Sequence, residues 1–555
     1  MIQPLTDTTD ALFEVFETVR ALYDAGGIGL GSFAGLAEAA RRAAAGDLHP
    51  AMLWSIYAAD QPDQLALVEK QRRFTWAEAN ARINRLANAL RWNGVEPGQR
   101  VAIMLKNSVE WFEAMAACQK IGASSVFVSF RYTAREVRYL LENSGASAIV
   151  CGVEHGAVVT EAKRGLIGEE RAIAVGDATP AGFEPYEMFL LRGSEAEPPA
   201  ECRRGGTRTI MYTSGTTGKP KGAVRDAAKA SLPALVGLLR RIPFRRSDRH
   251  LVAAPLYHAT GSGFAAIHLG LGATIYIMEK FEPTEFLAIV DREKITTSAL
   301  VPTMLRGLVE VPAADRASFD VSSLRILVTT GSALGEELER EIGEAFGEVL
   351  YDLYGSTEMG YVSIATPQDK RACPGTIGKT VPGIDVVLLD EKRNPVPDGE
   401  VGELFAKSSL TVEGYHENEA ATRESRYGEY FSVGDLAVRD AQGYLKLAGR
   451  KTDMVISGGM NVYPAEIEAV LASHPAIREA AVVGVPEEKW GEALIAFVAP
   501  KPGATVPSDN DLVEFCKGSL AGYKVPRRFE RLAELPRNPT GKVLKPELRA
   551  RLRDP

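Results

Sequence analysis

The five cysteines of this 555-residue chain (Cys118, Cys151, Cys202, Cys373 and Cys516) lie far apart and form no CxxC pair. Their spacing excludes a disulfide frame and a thiolate zinc site, and predicts reduced, buried thiols in a cytoplasmic protein. The seven histidines show no metal-ligand spacing. No apolar run approaches the ~20 residues that a spanning helix needs. The N-terminus, MIQPLTDTTD, lacks a basic start before an apolar stretch and does not read as a signal peptide. Net positive charge is missing too. A balance of −8 argues against a nucleic-acid partner, whose phosphates need a concentrated basic surface. One local cluster, Arg240, Arg241, Arg245, Arg246 and Arg249, reads as a solvated basic face, with an anionic ligand or an acidic membrane surface as the alternative contact. No Gly-x-Ser-x-Gly elbow occurs, and Gly218-Lys219 is followed by Pro220 rather than Ser or Thr, so the chain carries no Walker loop.

What is present is ordinary globular composition, 45% hydrophobic and 25% charged, at a length that allows about three or four domain-sized units. Residues 1–50 read as a helical extension. Leu12, Phe13, Phe16, Val19 and Leu22 recur at helical spacing, and a second amphipathic stretch, Phe33 to Ala45, follows a Gly-rich break. A simple packing role is favoured for this prefix, with a membrane or partner contact as the other reading. From about 60, apolar strands alternate with helices: VAIML (101–105), a helix around Glu110 to Lys120, SVFVS (125–129) and a helix from Thr133 to Glu142. LVAAP (251–255), ATIYIM (273–278), TTSALVP (296–302), RILVTTG (325–331) and VLYDLYG (349–355) each read as a strand entering a loop. The pattern predicts doubly wound α/β sheets with ligands at the strand ends. Short strands and Gly/Pro turns at 380–445 suggest a small β subdomain. The large domain is bounded at 51–449. Residues 450–555 form a small α+β domain, in which Pro464 opens a helix and residues 479–500 make a strand–turn–strand.

The most informative segment is Thr213–Gly222, TSGTTGKPKG, which follows a short β-like run. It holds three glycines (Gly215, Gly218, Gly222), four hydroxyls (Thr213, Ser214, Thr216, Thr217) and two lysines (Lys219, Lys221). Glycines let backbone N–H groups approach an anion, hydroxyls add donors and lysines add charge, which is the chemistry of a polyphosphate grip. The order of residues resembles the phosphate loop of the adenylate-forming superfamily: acyl-CoA synthetases, peptide-synthetase adenylation domains and firefly luciferase. The resemblance spans roughly residues 50–550 and is strongest toward fatty-acid–CoA ligases.

It implies a residue-by-residue site. In YGSTE (354–358), Tyr354 stacks on adenine, Gly355 and Ser356 line the nucleotide, Thr357 donates to the α-phosphate, and Glu358 is a hard oxygen ligand for Mg2+. Gly331, Ser332 and Ala333 match the loop that cradles adenine. Asp435 matches the acid that accepts from the ribose hydroxyls, Arg450 a ribose contact, and Lys451 the hinge between two catalytic poses. Gly458, Gly459 and Asn461 resemble the pantetheine channel, and Lys542 in PRNPTGKVLK resembles the mobile catalytic lysine. PLYHATG (255–261) matches the wall of the acyl pocket, with His258 in the gating position. No Asp or Glu occurs between Leu251 and Met278, where amino-acid-activating relatives hold an ammonium, so the substrate expected is a carboxylic acid with an apolar tail. The small Gly261 and Gly263 are expected to leave room for a tunnel beside Phe264.

The resemblance thus implies an ATP-dependent acyl-CoA synthetase with a large AMP-binding domain and a mobile C-terminal domain. A medium- or long-chain fatty acid is first joined to AMP, and the acyl group then passes to CoA. An aryl or other apolar acid, a separate carrier protein as acceptor, and a luciferase-like oxygenase are the alternatives. Oligomeric state stays open.

Overall fold

Uninterrupted apolar runs such as Ile326–Thr329 and Ala148–Gly152, bounded by turn residues, become the buried strands of two large sheets. The computed structural model describes residues 25–26, 32–44, 49–203, 208–213, 221–226, 232–415, 418–457, 460–487, 491–538 and 542–552. In the first, nine-stranded sheet, six strands run parallel in the order Leu350–Ser356, Ile326–Thr329, Thr297–Leu300, Arg249–Val252, Thr274–Ile277 and Leu65–Glu69. Antiparallel hairpins close both edges, through Gly360–Ala365 and Arg72–Thr75. The second, eight-stranded sheet sets Arg208–Thr213, Ser124–Phe127, Arg100–Met104, Ala148–Gly152 and Ala172–Val175 parallel, with Lys221–Asp226 antiparallel beside the first of them.

Helices Trp76–Trp92 and Val109–Lys120 lie between the two sheets. Their Leu86, Leu90, Trp111 and Phe112 share one core with Leu67 and Ile275 of the first sheet and Ile103 and Val150 of the second. Thr75 and Thr133 each close a capping box, with Glu78 and Glu136, so local sequence fixes where these helices begin. Residues Asp385–Arg450 form a six-stranded antiparallel sheet together with short flanking strands. The C-terminal part builds a separate five-stranded sheet around the hairpin Ile477–Glu487 and Gly491–Pro500. Helix Pro464–Ala472, with proline in its first turn, packs there over Val455, Val482 and Val498. The expected α/β class, with its β subdomain and α+β C-terminal domain, is the architecture observed.

Three expectations are met only in part. In the basic cluster Arg245 and Arg249 are exposed, as a solvated face requires, while Arg241 pairs with Asp369 at 2.5 Å, Arg246 pairs with Asp60, and Arg249 also donates to the Glu293 carbonyl. Cys118, Cys151 and Cys516 are buried as expected, whereas Cys202 and Cys373 are half-buried; all five are free. Of the prefix, helix Phe33–Ala44 packs on helix Met52–Asp60, while Leu12 to Leu22 lie outside the described residues. Among the described residues no helix is long and apolar enough to cross a membrane.

Candidate active site

The strands of the first sheet end at one rim, and the C-terminal domain faces that rim across a cleft of about 3700 Å³. His258, Gly331, Ser332, Ala333, Tyr354, Gly355, Ser356, Thr357, Glu358, Asp435, Arg450, Lys451 and Lys542 all line it, although they are separated by up to 284 positions (542 − 258). Asn461 does not; it stands exposed on Met460–Val462. Ser214, Gly215, Thr216, Thr217, Gly218, Lys219, Gly458 and Gly459 lie outside the described residues. Thr213 ends one strand and Lys221 begins the antiparallel strand paired with it.

Each side chain is placed by its element. Strand Ile326–Thr329 ends at Gly331, whose φ of +93° favours glycine and turns the chain under the cleft. Strands Leu350–Ser356 and Gly360–Ala365 form a hairpin with Thr357 and Glu358 at its tip, and Ser356 Oγ accepts from the Glu358 and Met359 amides to fix the turn. Tyr354 is buried and donates from Oη to Asp435 Oδ2 at 2.9 Å. Asp435 and Arg450 are direct cross-strand partners, and their side chains pair at 3.1 Å. One register position thus sets a Tyr–Asp–Arg chain with a second carboxylate oxygen facing the arginine. Glu358 is buried, and its Oε1 accepts from Tyr415 at 3.1 Å. Burial, then the Glu358 charge, raises the Tyr415 hydroxyl well above its ordinary value, so it stays a donor.

Lys542 reaches the cleft from the opposite domain, with its backbone N–H donating to Asn538 Oδ1 at 2.9 Å. Burial lowers its pKa below the usual lysine value, Arg450 adds to that, and Asp435 and Glu358 act against it. The ammonium therefore sits where a polyanion would relieve it. His258 is the N-cap of helix Ala259–Leu271; burial, then Arg131, lowers its pKa to about 4, so the ring is neutral near pH 7. Its enclosed Nε2 has no hydrogen-bond partner among the described residues.

Positions along helix Ala259–Leu271 carry the apolar arm of the cleft. Ala259, Gly263, Ala266 and Gly270 line it at three- and four-residue intervals, and Leu235, Leu238, Met52 and Leu53 line the same cleft. From 259 to 270 this face is about 16 Å long. Gly263 and Gly270 meet nothing within 4 Å of a built Cβ, so both border open space. Gly261 does not: a Cβ there would lie 2.4 Å from the Pro255 carbonyl oxygen. The expected tunnel glycine is thus Gly263, and Gly261 serves a close backbone approach.

Two polar groups escaped notice in the sequence. Buried Asn107 donates to the Ala254 and Met278 carbonyls and accepts from the Leu256 amide at 2.8 Å, clamping the segment before His258. Buried Lys370 binds Asp352 at 2.8 Å and Glu339 at 3.0 Å on the cleft floor. Neither lies in a motif. Their partners are remote in sequence, and nothing local marks them.

The AMP-binding enzyme family model matches residues 55–416, and that of the AMP-binding enzyme C-terminal domain matches residues 466–542. A fatty acid–[acyl-carrier-protein] ligase of Streptomyces coeruleorubidus is 32% identical over 511 residues, covering 90% of this chain and 95% of its own length. A feruloyl-CoA synthase of an Amycolatopsis species is 35% identical over 482 residues, covering 86% and 94%. Among solved structures, the anthranilate CoA ligase AuaEII in complex with anthranoyl-AMP is similar at a TM-score of 0.84 and 28% identity, covering 91% of this chain and 97% of that one. The o-succinylbenzoate CoA synthetase of Bacillus subtilis, in complex with its acyl-adenylate intermediate, gives 0.78 and 28%, covering 91% and 98%.

Proposed function

Because the chain belongs to the AMP-binding enzyme family and is an AMP-forming acid–thiol ligase, we propose that its acid is a medium- or long-chain fatty acid and its thiol that of CoA. The observation that carries this reading is the apolar arm along Ala259–Gly270. At roughly 1.25 Å per methylene, from a C–C bond of about 1.5 Å, an arm of about 16 Å suits about a dozen methylenes. No acid lies on that helix to hold an ammonium group.

In the proposed chemistry a carboxylate oxygen attacks the α-phosphorus of ATP, the bond to pyrophosphate breaks, and acyl-AMP forms. Lys542 offsets the charge that gathers on the α-phosphate and the incoming carboxylate, and Thr357 donates to the same phosphate. Asp435 accepts from the ribose hydroxyls with Arg450 beside it. Tyr354 and the Gly331–Ser332–Ala333 turn enclose the adenine, and the segment from Thr213 to Lys221 grips the polyphosphate. Mg2+ fits Glu358, whose one carboxylate suits a hard cation that takes its other oxygens from phosphates and water. Bound there, the ion would neutralise phosphate charge. Rotation of the C-terminal domain (450–555) against the large domain (51–449) about Lys451 then withdraws Lys542. Asn461, with Gly458 and Gly459, comes to line the CoA channel, and the thiol displaces AMP from the acyl carbonyl. Within the extension 1–50, helix Phe33–Ala44 braces the large domain.

An aryl acid is the second reading, favoured by the feruloyl-CoA synthase and the anthranilate CoA ligase among the similar proteins. The test is pyrophosphate release across a panel of straight-chain and aromatic acids, with and without CoA. The proposal expects the highest kcat/KM for straight chains and CoA-dependent thioester. A preference for benzoate- or cinnamate-like acids would overturn it.

A further inference from the structure

Met52 and Leu53, at the start of helix Met52–Asp60, line the same cleft as Gly270, where a Cβ would meet open space. That helix is held against the arm's own wall: Tyr57 Oη donates to the Gly270 carbonyl at 2.7 Å, and Gln61 Nε2 donates to the Gly272 carbonyl at 2.9 Å. Trp54 and Tyr57 also pack on Trp76 with ring centroids 5.2 and 4.9 Å away.

Its outer side is braced by the prefix. Asp60 accepts from Ser32 N at 2.9 Å and Ser32 Oγ at 3.0 Å, and pairs with Arg246. Gly35 approaches so closely that a Cβ there would lie 2.6 Å from Asp60 Cβ. At the far end of the prefix helix, fully buried Arg42 pairs with Glu38 at 2.7 Å and Glu197 at 2.8 Å. Glu197 in turn binds buried Lys120 at 2.7 Å. Taking one member from such a buried set is strongly destabilising, so the brace is fixed rather than loosely adsorbed. Residues 32–54 also lie outside the span that the AMP-binding enzyme model matches, which begins at residue 55.

We propose that Met52 and Leu53 are the specificity-determining end wall of the acyl site, setting the longest chain accepted, with helix Phe33–Ala44 holding that wall in place. This rests on the straight-chain reading above. The ligand at the wall is the terminal methyl of the acyl chain, which only an apolar, non-hydrogen-bonding surface receives without a desolvation cost.

The experiment measures kcat/KM over a ladder of even-numbered straight-chain acids from octanoate upward in the full chain and its variants. Each methylene newly buried is worth about 4-fold, so two are worth about 15-fold. Met52→Ala and Leu53→Ala should each raise, by up to about 15-fold, the ratio of kcat/KM for the acid two methylenes past the wild-type limit to that for octanoate. Met52→Trp should lower the same ratio for the acid at the limit. Shortening both positions and enlarging Met52 separates a moved wall from a damaged fold, because damage changes every acid alike. An unmoved limit, or a uniform loss over the whole ladder, overturns the end wall while leaving the fatty-acid reading intact. Turnover of aromatic acids and of no straight-chain acid overturns that reading, and the wall with it.

Discussion

In the proposed reaction Lys542 carries the heaviest chemical demand of any single side chain. Burial and Arg450 make its ammonium less stable than that of an ordinary lysine, and incoming phosphates would restore it. Lys542→Ala should slow acyl-adenylate formation by about 10²–10³-fold, the usual cost of one preorganised charge, and nearly spare thioester formation from supplied acyl-adenylate. Since the working form is protonated and its pKa is lowered, adenylation should decline with rising pH before an ordinary lysine would lose its proton. The thioester step should not share that limb. Single-turnover assays of each half-reaction across pH decide it, and equal losses in both would end the division of labour. The same scale shows where sequence reading stops. PTGK and YGSTE announce Lys542 and Glu358 because their order of residues matches motifs of the family. Gly261 and Gly263 look alike in the sequence, yet one faces a carbonyl and the other open space, since a missing side chain does not say what occupies its place.

Helix Ala259–Leu271 is the element on which the acyl site is laid out, and it is pinned to the sheet beneath by two buried imidazoles. His268 Nδ1 lies 2.8 Å from the Phe264 carbonyl, which accepts only a proton, so Nδ1 carries it. Nε2 is then an acceptor for Thr297 Oγ1 at 3.0 Å, and that oxygen accepts from His250 Nδ1 at 2.9 Å. The two rings stack at 3.9 Å, an arrangement that suits neutral rings and penalises two cations. Burial lowers the His268 pKa to about 4, with Phe264 and Asp248 opposing and Arg325 assisting, and burial depresses His250 in the same direction. The unfolded chain binds these protons near pH 6.5, so the stability is fully present above that pH and is lost as pH falls toward 4. For His268 alone the loss is about 3 kcal/mol. Melting temperature followed from pH 7 to pH 4 should fall, and His268→Gln should flatten the slope; parallel profiles would contradict the assignment. This cluster was not legible beforehand, because His250 and His268 sit within apolar runs and meet only when strand and helix stack. The strands themselves were legible. Unbroken apolar runs placed Ile326–Thr329 and Thr297–Leu300, and Pro464 marked its helix start by the backbone geometry it imposes. The braces at Arg42–Glu197 and Arg241–Asp369 were not, since charge partners more than a hundred residues apart leave no local pattern.

At the scale of the whole molecule, two domains of unequal size meet across a wide cleft, with two ion pairs across it among the described residues. Arg478–Glu310 at 3.8 Å and Lys501–Glu337 at 3.5 Å span it, and half-exposed pairs of that kind contribute about 0.2–1 kcal/mol each. The proposed rotation would meet little resistance from these pairs, and the covalent connection would decide what is allowed. Arg450 has φ −107° and ψ 143°, and Lys451 opens the short 3-10 turn Lys451–Asp453. An extended residue followed by the first position of a helical turn is a setting that proline tolerates. Lys451→Pro should thus preserve the observed pose, losing the hydrogen bond from Lys451 N–H to the Gly434 carbonyl at 2.8 Å and the half-exposed ion pair of the side chain with Glu403. A single such bond is worth about 1 kcal/mol, or about 5-fold in rate. Fixing φ near −65° removes the freedom that a large reorientation at this residue requires. Adenylate formation should accordingly fall by about 5-fold or less, while thioester formation from acyl-adenylate falls much further. Lys451→Ala, which loses the Glu403 ion pair at 3.0 Å but keeps the backbone free, should slow neither step by more than a few-fold. If Lys451→Pro passes the acyl group to CoA at the wild-type rate, the pivot lies elsewhere in the connection, and the two-pose account must be carried by a different residue.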